Sequence, residues 1–174
     1  WTMPFDLETG KPKEENNGPT YAGTIANYLM DQIKADPTVV AINAGTPGGF
    51  GFTHEWRKAA GKQYIDVGIA EEHAIAMSSG IAKNGGKPVF NVYSTFLQRT
   101  YDQLVQDLCV NNNSAVIINH YASVYGMNDV THLGFFDIPM LTSIPNLVYL
   151  APTNNEELLA MTEYAVHQHK HPVA

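Results

Sequence analysis

The sequence is almost without cysteine: Cys109 stands alone in 174 residues, so no internal disulfide staples the fold. It falls in an apolar helical stretch, where a small buried thiol in a reducing compartment is the expected state. Long apolar runs are missing too: no stretch of about 18 apolar residues occurs, and no basic segment leads into an apolar one at the start. A soluble, cytoplasmic protein is the expectation. Positive charge is scarce, with Lys+Arg 10 against Asp+Glu 17, a formal net charge of −7 and a pI near 5.4. An acidic surface argues against nucleic acid or an anionic membrane as the main partner. Signature motifs are also absent. The Gly-rich stretch Gly45–Gly51, "GTPGGFG", has no Gly-Lys-Ser/Thr and no G-x-G-x-x-G, so a mobile turn is expected there rather than a phosphate cradle. His167, His169 and His171 have no carboxylate or thiol beside them in sequence, which favours a solvated helix end over a metal clip.

What is present is a globular composition, 44% apolar and 16% charged, in a chain long enough for one domain. Ile25, Leu29 and Ile33 recur one helical turn apart from about Tyr21 to Ala35, and Asp36-Pro37 ends that helix. Short apolar runs read as strands: "TVVAINA", "QYIDVG", "KPVFNVY", "SAVIINH" and "NLVYLAP". Helical segments lie between them, at His54 to Ala60, Gly68 to about Asn84, and Leu97 to Val110. In the last of these, Leu97, Tyr101, Leu104 and Leu108 share a face. A final helix begins at Asn154, with acidic residues in its first turn. Alternation of this kind predicts an α/β fold, a three-layer α/β/α arrangement around a mostly parallel sheet. Residues 1–19 read as linker and 20–174 as the domain. "HKHPVA" reads as the start of a strand, and the chain as a piece of a longer one.

In such sheets the working loops lie beyond the carboxyl ends of the strands. One of them opens the stretch "GIAEEHAIAMSSG", 68–80, where two carboxylates and an imidazole precede a helix of small residues. A helix dipole accounts for a glutamate in the first turn. It does not account for Ala74, Ala76, Ser78, Ser79, Gly80 and Ala82, which leave almost no bulk and let a backbone or ligand come close. Glu71 shares its face with Ile75, Ser78 and Ala82, so it should look into packed material. Desolvation would then raise its pKa and let it donate a hydrogen bond. "YSTFLQRTYDQ" puts Tyr93, Phe96 and Arg99 between a strand and a helix, an aromatic ring and a cation suited to a flat heterocycle or an anion. His132 falls in a long irregular loop, a common place for function.

Taken together, "YIDVGIAEEHAIAMSSGIAKNGGKPVFNVYSTFLQRTYDQL", "THLGFFDIP" and "IPNLVYLAPTNNEE" closely resemble the pyrimidine-binding domain of the thiamine-diphosphate enzymes of the transketolase superfamily. Within it the pattern most resembles the 1-deoxy-D-xylulose-5-phosphate synthase family. The resemblance runs from about Pro19 to the end. It implies that Glu71 meets N1′ of the cofactor's aminopyrimidine and activates it. It further implies that Phe96 stacks on the pyrimidine, that Ile69 makes an apolar contact beside it, and that Arg99 lies close by. Tyr93 corresponds to a residue near the acceptor's phosphate, and His132 to the active-site histidine. Pyruvate decarboxylation with carboligation to an aldehyde is the implied activity.

The acceptor half departs from the family pattern. The D-R-A-G segment is here "HYAS", so Tyr121 replaces a phosphate-binding arginine. The loop's Asp is Asn128, with Asp129 beside it, and a glutamine is Leu133. No Gly-Asp-Gly occurs, so the Mg²⁺ that holds the diphosphate would belong to a domain not in this chain, from the same polypeptide or a partner. Three readings are therefore carried. One is the pyrimidine half of a synthase of this type, expected to be a homodimer and inactive alone. Another is a split transketolase or a pyruvate dehydrogenase beta-type subunit with a different acceptor. The third is a non-catalytic module of the same fold.

Overall fold

The computed structural model describes residues 4–13, 19–122, 131–168 and 170–174. Helix α1 (Tyr21–Ala35) is capped by Thr20, whose side chain accepts from the Gly23 amide, and leads to strand β1 (Val39–Asn43). Helix α2 (His54–Ala60) and strand β2 (Tyr64–Asp66) follow. Then come α3 (Glu71–Lys83) and β3 (Lys87–Tyr93). The segment after β3 is one broken helical run: α4 (Ser94–Leu97), a 3-10 turn, α5 (Tyr101–Gln103) and a π-helical stretch Leu104–Cys109. Strand β4 (Val116–His120), α6 (Asp137–Thr142) and α7 (Asn155–His167) complete the order.

The four strands form a sheet in the order β2-β1-β3-β4, every pair parallel. The register sets Asn43 beside Asn91 and Tyr93 beside His120 at its carboxyl edge. Period-two alternation sends Val39, Ala41 and Val89 into one core with α1, α2 and α7. Ile42, Phe90, Val92 and Ile117 enter the other, with α3 and the helical run. Both faces are thus covered, which is why these strands read as nearly unbroken apolar runs. The three-layer arrangement is as expected. At the end of the chain, Val173 bridges in parallel to both Val116 and Val148, so "HKHPVA" does begin a strand-like insertion beside β4. No helix among the described residues is long and apolar enough to cross a membrane.

Three local expectations are corrected. "GTPGGFG" is not a loose turn: Pro47–Phe50 is a 3-10 turn that drives Phe50 into the core, fully buried. Burying that ring outweighs the freedom of the flanking glycines. Tyr101 does not join the buried face of the helical run, since the 3-10 turn Gln98–Thr100 changes the register after Leu97, buries Thr100 and leaves Tyr101 exposed. "NLVYLAP" is not a full strand but a single bridge at Val148.

Cys109 is buried, and burial pushes its thiol up to about 12, as its apolar setting suggested. Helix α3 ends at Gly85 with φ +86, a conformation that costs little only without a Cβ.

Candidate functional site

The carboxyl ends of β1, β2, β3 and β4 and the turns beyond them carry almost every residue singled out from the sequence. Asp66, last in β2, sets the entry to α3: its carboxylate accepts from the Gly45 amide and the Gly68 amide, each at 2.9 Å. That clamp joins the β1 and β2 loops and holds Ile69 at the rim. Ile69 is 79% exposed, its side chain against the space where Gly45 has no Cβ.

Two residues on, Glu71 is buried to 2% exposure, because α3 packs its small face on the helical run and its first turn goes with it. Ser79 Oγ donates to Asp107 O at 2.6 Å and accepts from Asn113 at 2.7 Å, which seats α3 against the π-helical stretch. The small side chains thus have a structural use within the chain. Arg99, half exposed, reaches in from the 3-10 turn. Its Nη1 lies 3.2 Å from Glu71 Oε2, and its Nε donates to Glu72 Oε1 at 3.2 Å. The first contact is an ion pair without hydrogen-bond alignment, so Oε2 of a buried carboxyl has no hydrogen-bond partner among the described residues. Glu72 has a specific role that its sequence position did not reveal: it anchors the other side of the guanidinium, and a hydrogen bond from its own backbone amide, with Arg99 second, holds its carboxyl below the ordinary range.

Beside this pair stands an aromatic wall. Tyr93 packs edge-on to Phe96, centroids 5.8 Å apart, and stacks on Tyr121 at 5.1 Å and 29°. Phe96 meets the His132 ring at 5.3 Å, nearly perpendicular. Thr95 Oγ1 donates to Thr131 O, tying the end of the long loop to α4, and His132 Nδ1 is hydrogen-bonded to Thr131 Oγ1 at 2.6 Å. The structure therefore gathers Glu71, Phe96, Arg99, Tyr93, Tyr121 and His132 at one edge, with Ile69 at its rim. Asn128 lies outside the described residues, as do Asp129 and His169. Of the histidine group, His171 is engaged by Asn112 at 3.1 Å, and no cluster able to hold a metal occurs among the described residues.

A buried polar row beneath the wall was not foreseen from the sequence. Asn43 Nδ2 donates to Asn91 O, Asn91 Nδ2 donates to Val89 O, and Asn91 Oδ1 lies 3.0 Å from His120 Nε2. With its amide nitrogen spent on Val89, Asn91 presents an acceptor, so His120 Nε2 carries the proton. The His120 ring lies 4.3 Å from Phe50, and burial drives its pKa down to about 3. One signal was available: Asn43 is the last residue of an otherwise apolar strand, His120 ends β4 directly after Asn119, and Asn91 stands two from the end of another strand. Gly49 completes the packing, since a Cβ there would overlap the Tyr93 hydroxyl.

A parallel α/β domain that offers a buried, incompletely partnered carboxyl and an aromatic face at its carboxyl edge has the make-up of a domain suited to a flat heterocycle. More particularly, residues 17–174 match the family described as transketolase, pyrimidine binding domain, and the chain belongs to it. Among its curated relatives is a 1-deoxy-D-xylulose-5-phosphate synthase from Natranaerobius thermophilus, 40% identical over 174 residues, 99% of this chain and 27% of the relative. Another, of the same name, is from Heliobacterium modesticaldum, 40% identical over 171 residues, 98% of this chain and 26% of the relative. The chain thus spans about a quarter of the length of these relatives. Among solved structures, a split gene transketolase described as an inactive beta4 tetramer superposes with TM-score 0.75 at 18% identity, over 90% of this chain and 50% of that one. Transketolase from Leishmania mexicana superposes with TM-score 0.77, also at 18% identity, over 92% and 26%. These structural likenesses establish the fold.

Proposed function

We propose that this chain is the pyrimidine half of a thiamine-diphosphate-dependent carboligase. The observation that carries this is Glu71: a buried carboxyl with one oxygen lacking a hydrogen bond, at the edge where an aromatic ring, Phe96, stands ready. An aminopyrimidine fits there, since a proton on the orphaned oxygen would be donated to a ring nitrogen and Phe96 would cover the ring's face. When bound, the cofactor supplies the electron sink that lets a 2-oxo acid lose its carboxylate.

The remaining work falls to this chain's residues. Glu71 holds or moves a proton at its carboxyl oxygens toward the pyrimidine. Arg99 keeps that carboxyl in place from the solvent side, and Glu72 keeps Arg99 in place. Ile69 and Phe96 exclude water from the ring. His132, its Nδ1 engaged by Thr131, handles a proton through Nε2 at the carbonyl oxygen of substrate or product. In the net reaction the bond from the acyl carbon to the carboxylate breaks and carbon dioxide leaves. A new carbon–carbon bond joins the acyl carbon to the aldehyde carbon, and one proton is taken up at the aldehyde oxygen to give a hydroxyketone.

The resemblance to the 1-deoxy-D-xylulose-5-phosphate synthase family implies pyruvate as donor. Glyceraldehyde 3-phosphate, and with it a place in isoprenoid biosynthesis, would follow only if the acceptor is the one that resemblance implies. Tyr121 favours a second reading, in which the donor chemistry is kept and the acceptor differs. The diphosphate and its Mg²⁺ would be held by another domain, from the same polypeptide or a partner chain. The split transketolase neighbour supports the partner-chain form as one that occurs with this fold. A homodimer in the cytoplasm completes the proposal, and a non-catalytic module is disfavoured by the Glu71–Arg99–Glu72 arrangement.

The test is Glu71→Ala in the complete enzyme with its diphosphate-binding domain. We expect turnover with pyruvate to fall by about 10²–10⁴-fold, the range for loss of a positioned acid-base group. Full turnover in that variant would refute the proposal.

A further inference from the structure

The wall beside Glu71 has an electrostatic character that the family membership does not state. Between Arg99 and Lys170 the sequence contains no Lys or Arg at all. That interval includes β4, the whole loop that follows it, and every residue of the wall after Phe96. The other cations lie elsewhere. Lys34, Lys62, Lys83 and Lys87 stand just before or at the start of strands, which puts them at the opposite edge of a parallel sheet. Lys87 is also held by Asp36 at 2.9 Å. Arg57 and Lys58 belong to the last turn of α2. Arg99 is the cation at the carboxyl edge among the described residues, and it already faces two carboxylates.

Aromatic rings form the wall, Tyr93, Phe96 and Tyr121 with the His132 ring at its edge. Burial pushes the Tyr93 phenol above its ordinary range and the His120 imidazole down to about 3, so neither is charged near neutral pH. Phe50 lies behind both, 4.8 Å from the Tyr93 ring and 4.3 Å from His120. Tyr121 stacks on Tyr93 and is 43% exposed, so one aromatic face backs on the wall at the solvent side of the edge.

A phosphate ester carries close to two negative charges and needs cations or converging N–H donors when it leaves water. This wall offers it stacked rings next to the carboxylates of Glu71 and Glu72. An apolar or aromatic body gains from the same surface, because its rings and alkyl groups leave water and meet ring faces and edges. We propose that the acceptor taken by this site is an unphosphorylated aldehyde with an apolar or aromatic body, held against the Tyr93–Tyr121 pair. The inference rests on the carboligase reading above and names the substrate class for it.

The experiment uses the complete enzyme with pyruvate as donor and two acceptors, benzaldehyde and glyceraldehyde 3-phosphate. Carbon dioxide release from pyruvate is measured as well. We expect kcat/KM for benzaldehyde to exceed that for the phosphorylated aldehyde by at least about tenfold. Tyr121→Arg should reverse that preference by a similar factor. The new side chain takes the same backbone, already at φ 58, so no new strain is introduced. In calorimetric titration with inorganic phosphate, the Tyr121→Arg variant should bind at least about tenfold more tightly than wild type.

Carbon dioxide release together with a preference for glyceraldehyde 3-phosphate overturns this inference and leaves the carboligase reading standing. So does a phosphate affinity unchanged by Tyr121→Arg. Absence of any carbon dioxide release from pyruvate defeats the carboligase reading, and the inference falls with it.

Discussion

Glu71 and His120 are both nearly buried at the same sheet edge, 2% and 7% exposed, yet their surroundings are opposite. Glu71 is met by a guanidinium that enters from solvent and is itself braced by Glu72. His120 is met by an amide oxygen and a phenyl ring, with no charge beside it in the row that holds it. One half of the edge manages charge, and the other removes it. On the proposed reading, the charged half is where protons are moved and the aromatic half is where an uncharged molecule is held. The difference also divides stability from chemistry. The aromatic half is tied into the core through Phe50, while the charged half rests on one half-exposed arginine.

The largest expected effect that separates the halves comes from Phe50→Ala. Removing a fully buried ring should cost about 3–5 kcal/mol, read as a lower urea midpoint of the complete polypeptide. Thiamine diphosphate titrated onto the folded fraction should keep its wild-type affinity, because the Glu71–Arg99 pair does not touch Phe50. A large loss of that affinity would show that the halves are one unit.

A smaller effect should come from pH. His120 titrates near 3 when folded and near 6.5 when unfolded. Between those values the unfolded chain binds the proton and the native one does not, so stability falls as pH falls through that window. The slope from this group approaches ~1.4 kcal/mol per pH unit. Urea midpoints of His120→Leu, followed from pH 7 to pH 4, should fall less steeply than those of wild type. Parallel curves would place the acid sensitivity elsewhere.

The smallest effect on stability should come from Ile69→Ala. A side chain 79% exposed contributes within about 0.5 kcal/mol, while cofactor affinity should drop several-fold if Ile69 covers the pyrimidine. Loss of stability without loss of affinity would make Ile69 a packing residue only.

Much of this architecture is legible in the sequence. The bounds of α1, α2 and β3 follow from the pattern of apolar residues and, after α1, from the Asp36-Pro37 stop; the Thr53 cap of α2 was seen only in the structure. Glu71 stands out because nothing about a buried small-residue helix requires it. The breaks in the helical run after β3 are not legible, because a π-helical stretch is a response to packing on α3 rather than a local preference. Arg99 is placed near the cofactor by resemblance, but its double engagement by Glu71 and Glu72 needs two segments 27 residues apart to meet.

The layers follow from the chain's own pattern, because alternating apolar strands and amphipathic helices bury both faces of a sheet most fully when stacked this way. The lack of Lys and Arg between Arg99 and Lys170 is likewise written in the order of the residues. Which groups share a surface is a different matter, and it was settled by packing in three dimensions. Packing brought Asn43, Asn91 and His120 into one row, set Phe50 behind Tyr93, and closed Arg99 onto two carboxylates. Those pairings depend on strand register and on the way helices lie against the sheet, and neither is encoded at short range.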